Sequence, residues 1–260
     1  MFSPSPIYNV APSPPLMDCT DLTPTASTAS TLPPADEDER RLLLLDWDDT
    51  MLCSHYLARH GITIDKVRGG AVPPGLDRLG RGVALTLGAC LALADRAVMV
   101  TNAERGWVEL SCKTFLPCLW PLVEGIRTIS ARSTYEHEFA AQPAMWKQLA
   151  FTAEVEGYLR DRGHGLRALH VISIGDSIHE RMAVKRVCAG LRVKGGPVVY
   201  CKSVKMLDKP SLDQLVREHD LLHCNIADVI RRAQDLDLFV KVDDPHPHPA
   251  AAAAAHDQVN

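Results

Sequence analysis

Short apolar runs alternate with longer stretches of helical pattern through the middle of this 260-residue chain. The runs that predict buried strands cover residues 42–45, 97–100, 126–129, 169–174 and 198–201. The stretches that predict helices cover residues 76–94, 104–116, 143–161, 178–188, 211–218 and 225–234. Because strands alternating with helices are typical of a parallel sheet with both faces covered, we expect an α/β fold with a mostly parallel central sheet. Ligands of such sheets bind beside the carboxyl ends of the strands, so the residues that follow each strand are candidate site residues.

The two ends of the chain differ in composition from its centre. Residues 1–39 are rich in Pro, Ser and Thr and end in an acidic cluster, and residues 243–260 are of low complexity. Neither segment carries enough apolar surface to offset the entropy cost of folding, so both are predicted to be disordered. The folded domain is therefore predicted over residues 40–242. The whole chain carries a net charge of −4. Because the acidic residues are concentrated at its two ends, the predicted domain between them is mildly basic. A mildly basic domain suits an anionic substrate.

Composition also argues against several classes of protein. No apolar run reaches the roughly 18 residues needed to cross a membrane, and no basic stripe interleaved with aromatic residues indicates nucleic-acid binding. The eight cysteines form no Cys-x-x-Cys pair, so we expect reduced thiols rather than zinc ligands. The start of the chain lacks the basic segment of a secretory signal. These features predict a cytoplasmic protein, are compatible with a nuclear one, and leave the oligomeric state open.

The first predicted strand is followed by Asp-Trp-Asp-Asp-Thr, residues 46–50. Three carboxylates this close together repel one another unless a cation lies between them, and a divalent cation would relieve the repulsion. Asp46 and Asp48 are two residues apart and can turn toward one site, where one can act as a nucleophile and the other can exchange protons. The alternative is a solvated acidic turn that caps a helix. Strand-like alternation points Asp49 away from the other two.

Polar residues also follow the later strands. Thr101 and Asn102 follow the second strand and offer a hydroxyl and an amide to an anion, or simply cap a helix. Lys147 lies among apolar residues of a predicted helix, where it offsets a phosphate charge or extends along the surface. Asp176 follows Gly175 at the end of the fourth strand, at the same sheet edge as Asp46. These two carboxylates together predict an Mg²⁺ site.

The order of these features resembles the haloacid dehalogenase superfamily over about residues 41–205. The resemblance implies a Rossmann-like three-layer sandwich and an Mg²⁺-dependent phosphatase, in which Asp46 attacks phosphorus and forms an aspartyl-phosphate. It implies that Asp48 protonates the leaving oxygen, activates water, and binds the metal through its backbone carbonyl. The remaining implied roles are phosphate binding by Thr101 and Lys147, with Asn102 as a further candidate, and metal binding by Asp176.

The sequence departs from this pattern at one position. Many relatives carry Asp four residues after the Asp of the Gly-Asp pair, whereas this chain carries Glu180. The longer side chain either binds the metal through water or pairs with Lys147. The resemblance also places cap domains after the first motif or between the second and third, and neither interval here is long enough for a large cap.

A small or absent cap leaves an open site, so the expected substrate is a phosphorylated protein or a phosphorylated small molecule. Two other functions remain alternatives at this stage. A phosphotransferase would use the same aspartyl-phosphate but needs a cap that excludes water. A non-catalytic phosphate-binding or scaffold protein would need no complete set of carboxylates and lysine, which this chain has.

Overall fold

A computed structural model describes residues 38–70, 73–162, 165–194 and 196–242. Its centre is a sheet of six parallel strands in the order β3-β2-β1-β4-β5-β6. The strands are β1 (Glu39–Leu45), β2 (Arg96–Thr101), β3 (Arg127–Ser130), β4 (Ala168–Gly175), β5 (Val198–Lys205) and β6 (Leu236–Phe239). The predicted α/β fold with a parallel sheet is confirmed, and the five predicted strands correspond to β1 to β5.

Helices cover both faces of the sheet. They are α1 (Ser54–Arg59), α2 (Ile64–Arg68), α3 (Leu76–Leu93), α4 (Trp107–Phe115), α5 (Trp120–Val123), α6 (Ala131–Tyr135), α7 (Pro143–Arg162), α8 (Ile178–Lys194) and α9 (Leu212–Arg231), with a 3₁₀ turn at Pro117–Leu119. The two helices predicted at residues 211–218 and 225–234 form the single helix α9. The helix continues between them because His219 and Leu222 are buried there and keep the helical spacing of apolar contacts.

Alternating side chains of β1 divide the core into two layers. Leu43 and Leu45 face one layer, where they join buried residues of α3, α4 and α9. Leu42 and Leu44 face the other, where they join buried residues of α7 and α8. All four leucines are fully buried, as expected of a strand covered on both faces. The described residues therefore form a three-layer sandwich of helices, sheet and helices.

The strand order changes direction at β1, and this change positions the candidate site. β2 and β3 extend the sheet on one side of β1, and β4, β5 and β6 extend it on the other. In open parallel sheets the crevice at the carboxyl ends of the strands on either side of such a switch is the usual ligand site. Between β1 and β2 the described residues form α1, α2 and α3, so they contain no large cap domain at that position.

The sixth strand was not predicted from the sequence. β6 lies at the edge of the sheet, and its four residues, Leu-Asp-Leu-Phe, are all partly exposed. An edge strand of this length has no continuous apolar run and is easily taken for a loop. The predicted disordered ends lie outside the described residues, except that Asp38 is described and Glu39 begins β1. No helix among the described residues is long and apolar enough to cross a membrane.

Candidate active site

Asp46 lies directly after β1, and its side chain is buried. Its backbone N–H donates to the Ile174 carbonyl at 3.0 Å, so the chain is still attached to β4 at this point. The Lys147 ammonium donates to Asp46 Oδ1, and the Thr50 hydroxyl donates to Oδ2 at 3.3 Å. Burial and the nearby Glu180 carboxylate outweigh Lys147 and raise the pKa of Asp46 to about 7. The first aspartate of the motif is therefore held in place by a cation from another element.

Lys147 comes from α7 and reaches under the ends of the central strands. Its ammonium is 1% exposed, contacts Asp46, donates to the Val100 carbonyl at 2.5 Å and lies 3.0 Å from Glu180 Oε1. Burial by itself would lower the pKa of this lysine, but the Asp46 and Glu180 carboxylates raise it above its ordinary value. Lys147 is thus a buried cation between two carboxylates rather than a surface lysine.

Glu180 lies in the first turn of α8 and completes this group of charges. Its Oε2 accepts from the Ser177 hydroxyl at 2.5 Å and from the Ser177 backbone N–H at 3.0 Å, which leaves Oε1 for Lys147. A Cβ atom on Gly175 would lie 2.7 Å from the Glu180 Cγ, so only glycine at the end of β4 permits this approach. Of the two roles left open by the sequence, the described geometry has Glu180 paired with Lys147.

Asp48 has a different environment from Asp46, because all of its hydrogen-bond donors are neutral groups. Oδ1 accepts from the Ser54 hydroxyl at 2.5 Å and from the Trp107 indole N–H at 2.8 Å. Oδ2 accepts from the Thr101 hydroxyl at 3.2 Å. The structure thus brings the candidate residues Asp48 and Thr101 into contact, and Ser54 and Trp107 were not predicted as site residues. No local pattern marks either residue, since they reach Asp48 from the starts of two separate helices.

The Asp49 side chain is directed to the start of α1, although its charge still contributes to the raised pKa of Asp176. Its backbone lies in the left-handed region with a φ of 53°, and its Oδ1 accepts from the His55 backbone N–H at 2.8 Å in the first turn of α1. The side chain therefore stabilises the start of α1, and the left-handed backbone at Asp49 sets its direction.

Asp176 follows β4 at the same edge of the sheet and is only 9% exposed. Burial and the charges of Asp46, Glu180 and Asp49 raise its pKa to about 8, and the charge of Lys205 offsets this only in part. No hydrogen bond from the described residues reaches its carboxylate. Buried carboxylates are normally paired or bound to a metal, so Asp176 is the part of the site that calls for a positive partner.

The described residues contain no group of three or more His, Cys, Asp or Glu side chains arranged to hold a metal ion. The predicted magnesium ligands are two carboxylates, Asp46 and Asp176, and the backbone carbonyl of Asp48. A set of this kind has fewer than three side-chain ligands. It is nevertheless suitable for Mg²⁺, which keeps several waters and takes one or two carboxylates.

Asn102 has a role different from that of its neighbour Thr101. Its amide nitrogen donates to the Pro143 carbonyl at 3.3 Å and so joins the end of β2 to the start of α7. Its Oδ1 is buried without a partner among the described residues. The predicted phosphate-binding residues Thr101 and Lys147 contact the two motif aspartates directly, whereas Asn102 contacts the helix that carries Lys147.

His219 of α9 contacts the motif loop, residues 46–50, and was not predicted as a site residue. His219 is fully buried, and its Nε2 lies 2.8 Å from the Thr50 carbonyl, while its Nδ1 lies 3.2 Å from the Thr86 hydroxyl. Burial lowers the pKa of His219 to about 4, so the neutral ring donates from Nε2 to the loop. Since Thr50 in turn donates to Asp46, His219 holds the nucleophile candidate through one intervening residue.

Comparisons of the chain with protein-family models, curated proteins and solved structures give no match. The contacts within the site are therefore the basis on which a function is inferred. Lys147 joins Asp46 and Glu180 in one charged group. Asp48 and Thr101 form a separate hydrogen-bonded pair. Asp176 lies beside the first group and contributes to its electrostatics.

Proposed function

We propose that this protein is a haloacid dehalogenase-like, Mg²⁺-dependent phosphatase that hydrolyses a phosphomonoester through an aspartyl-phosphate on Asp46. The observation that carries the proposal is the position of Lys147, which reaches from α7 to Asp46 at the carboxyl end of β1 while Glu180 holds it from the other side. A buried lysine on a candidate nucleophile suits chemistry in which one anion must approach another. Phosphoryl transfer depends mainly on such positioning and charge stabilisation.

The proposed reaction has two halves. In the first, an Asp46 oxygen forms a bond to phosphorus while the bond from phosphorus to the leaving oxygen breaks, and Asp48 gives its proton to that oxygen. In the second, Asp48 takes a proton from water as the water oxygen attacks phosphorus and Asp46 is released. The Thr101 hydroxyl and the Lys147 ammonium would bind phosphoryl oxygens, since both groups donate hydrogen bonds at this edge of the sheet.

The residues present fit an Mg²⁺ ion. Asp176 is a buried carboxylate without a hydrogen-bond donor among the described residues. The nearby Asp46 carboxylate raises the pKa of Asp176. Asp46, Asp176 and the backbone carbonyl of Asp48 would hold the ion. When bound, Mg²⁺ supplies positive charge that lowers the repulsion between the Asp46 carboxylate and the phosphate. The absence of a large cap in the described residues is compatible with either a phosphorylated protein or a small phosphorylated molecule as substrate.

The proposal is tested by hydrolysis of 4-nitrophenyl phosphate with Mg²⁺ and with a chelator, for the wild type and for Asp46→Asn. We expect Mg²⁺-dependent turnover that falls by at least about 10³-fold in Asp46→Asn, because the nucleophile is lost. Asp49→Asn is the matched control, since it makes the same change of charge three residues away. Asn tolerates the left-handed backbone and keeps an oxygen for the His55 N–H, so this variant should lose far less turnover than Asp46→Asn.

Absence of turnover in the folded, Mg²⁺-loaded wild type would contradict the proposal if beryllium fluoride, a phosphate analogue, also failed to raise its melting temperature. Mg²⁺-dependent binding of beryllium fluoride without turnover would instead support the non-catalytic phosphate-binding alternative. Thermal denaturation of the wild type and of Asp46→Asn with and without the analogue distinguishes these two results.

A further inference from the structure

The two carboxylate oxygens of Asp48 have different partners. Oδ1 accepts from the Ser54 hydroxyl and the Trp107 indole N–H, whereas the described residues offer Oδ2 a single donor, the Thr101 hydroxyl. We propose that Trp107 is a positioning residue which, together with Ser54, fixes Oδ2 of Asp48 as the oxygen that gives and takes the proton. This inference rests on the proposed function, in which Asp48 acts as acid and base.

The number of hydrogen bonds that each Asp48 oxygen can accept determines where a proton binds. A carboxylate oxygen accepts along two in-plane lone-pair directions. At Oδ1 both are used, at 2.5 Å by Ser54 and at 2.8 Å by Trp107. An indole N–H only donates, so it cannot reverse its role and accept a hydrogen bond from a protonated Oδ1. Protonation of Oδ1 would require Ser54 or Trp107 to give up its hydrogen bond, whereas Oδ2 has an open lone pair, so a proton on Asp48 is more stable on Oδ2.

The Thr101 hydroxyl can adapt to either protonation state of Asp48. It donates to Asp48 Oδ2 at 3.2 Å and accepts from the Ala103 backbone N–H at 2.9 Å. Because a hydroxyl both donates and accepts, it can rotate away from Oδ2 when this oxygen is protonated. In the first half-reaction the O–H bond at Oδ2 breaks as the leaving oxygen gains the proton. In the second, Oδ2 gains a proton from the attacking water.

Trp107 is itself anchored by hydrogen bonds that connect α4 to the motif loop. The Ser111 hydroxyl, one turn further along α4, donates to the Trp107 carbonyl at 2.6 Å. The same Ser111 oxygen accepts from the indole N–H of Trp47 at 2.9 Å, and Trp47 lies between Asp46 and Asp48 in sequence and is fully buried. The start of α4 and the motif loop are therefore fixed to each other at two points. Since Trp107 is anchored in this way, its indole N–H has a defined direction toward Asp48.

Trp107→Phe tests the inference kinetically because it removes the N–H and keeps an aromatic ring. The ratio kcat/KM reports the steps up to phosphoryl transfer, where the leaving oxygen needs a proton in proportion to its basicity. We expect kcat/KM for phenyl phosphate to fall about tenfold in this variant, a part of the usual general-acid contribution. For 4-nitrophenyl phosphate, whose leaving group is far less basic, the change should be under about twofold. Ser54→Ala, which removes the other donor to the same oxygen, should act in the same direction.

Trp120→Phe is the matched control, since Trp120 lies against the Lys113 ammonium on α4 and makes no contact with Asp48. It should change kcat/KM for neither substrate. Equal losses for phenyl phosphate and 4-nitrophenyl phosphate in both Trp107→Phe and Ser54→Ala would overturn the inference, because the two residues would then act only on packing. An unchanged kcat/KM for phenyl phosphate in both variants would overturn it as well.

A second measurement needs no substrate. In protein labelled with ¹⁵N at the indole nitrogen, Trp107→Phe identifies the Trp107 signal by its disappearance. We expect Asp48→Asn to move that signal, because it replaces the charged acceptor, and Asp46→Asn to move it much less. A failure of the proposed function would appear as absent turnover in the wild type. A failure of this inference would appear as a Trp107 signal that Asp48→Asn leaves in place.

Discussion

Two lysines among the described residues are fully buried, and their surroundings differ. Lys147 lies at the carboxyl edge of the sheet between the carboxylates of Asp46 and Glu180. Lys202 lies on β5, where its ammonium is within 2.8 Å of His170 Nδ1, 2.8 Å of the Val229 carbonyl and 2.7 Å of the Ile230 carbonyl. Their exposed fractions, 1% and 0%, are nearly the same, so burial does not distinguish them. Their partners do.

The different partners shift the pKa values of Lys147 and Lys202 in opposite directions. Two carboxylates outweigh burial and raise the pKa of Lys147. Burial and the charge of Arg41 lower the pKa of Lys202 to about 7, and Glu39 offsets this only in part. The partners of Lys202 are a neutral ring and the last carbonyls of α9, which need donors at a helix end. Lys147 is therefore paired with two carboxylates, whereas Lys202 completes a helix end.

The largest expected effect comes from Lys147→Met, which keeps the unbranched stem and removes the charge. We expect hydrolysis of 4-nitrophenyl phosphate to fall by about 10³-fold, because Asp46 and the phosphoryl oxygens lose their shared cation. The free energy of unfolding should also fall by about 3 kcal/mol, since two buried carboxylates lose the cation that they share. Steady-state kinetics and urea denaturation of the same preparation measure both. A variant that keeps more than about a tenth of the wild-type turnover would contradict a role for Lys147 at the reacting phosphate.

Lys202→Met makes the identical change at the second lysine and should affect stability alone. Three acceptors, namely His170 Nδ1 and the carbonyls of Val229 and Ile230, lose their donor, which should lower the free energy of unfolding by about 3 kcal/mol. Turnover should stay within about twofold of the wild type, because Lys202 contacts no residue of the candidate site. Kinetics below the unfolding transition and urea denaturation separate the two effects. A loss of turnover without a loss of stability would show that the two lysines are not distinguished by their partners.

The sequence predicted Lys147 as a site residue and gave no indication of Lys202. Lys147 stands in a helix of mostly apolar neighbours, and the fold places that helix beside strand ends that carry acidic residues. The partners of Lys202, by contrast, come from β4 and from the far end of α9, so only the tertiary structure brings them together. The same limit applies to Trp107, which reaches Asp48 in the loop after β1 from the start of α4.

The fold was more accessible from the sequence than the contacts within the site. Strands buried on both faces, such as β1 with its four leucines, leave a continuous apolar run that identifies them directly. β6 leaves none, because it is a short edge strand whose Asp237 pairs with Arg181 and Lys185 of α8. Long-range ion pairs of this kind stabilise an element without any periodic pattern in its own residues.

The smallest expected effect is a pH dependence that separates the two lysines without a substrate. Since the pKa of Lys202 is about 7 in the folded chain and 10.5 for an ordinary lysine, the unfolded chain binds a proton in this window that the folded chain has released. The free energy of unfolding contributed by Lys202 therefore rises with pH, by at most about 1.4 kcal/mol per pH unit. Lys147 contributes no such slope, because its pKa is raised rather than lowered.

The wild type alone would conceal this slope. Burial raises the pKa of Glu218 to about 8, so the folded chain holds a proton there that the unfolded chain has lost, and stability falls as pH rises toward 8. The difference between the wild type and Lys202→Met cancels the Glu218 contribution, because that residue is present in both. We expect this difference in the free energy of unfolding to grow by about 1 kcal/mol between pH 7.5 and 8.5, measured by urea denaturation at each pH. A difference that stays constant across this range would mean that Lys202 keeps its proton, and the contrast between the two buried lysines would then lie in their contacts alone.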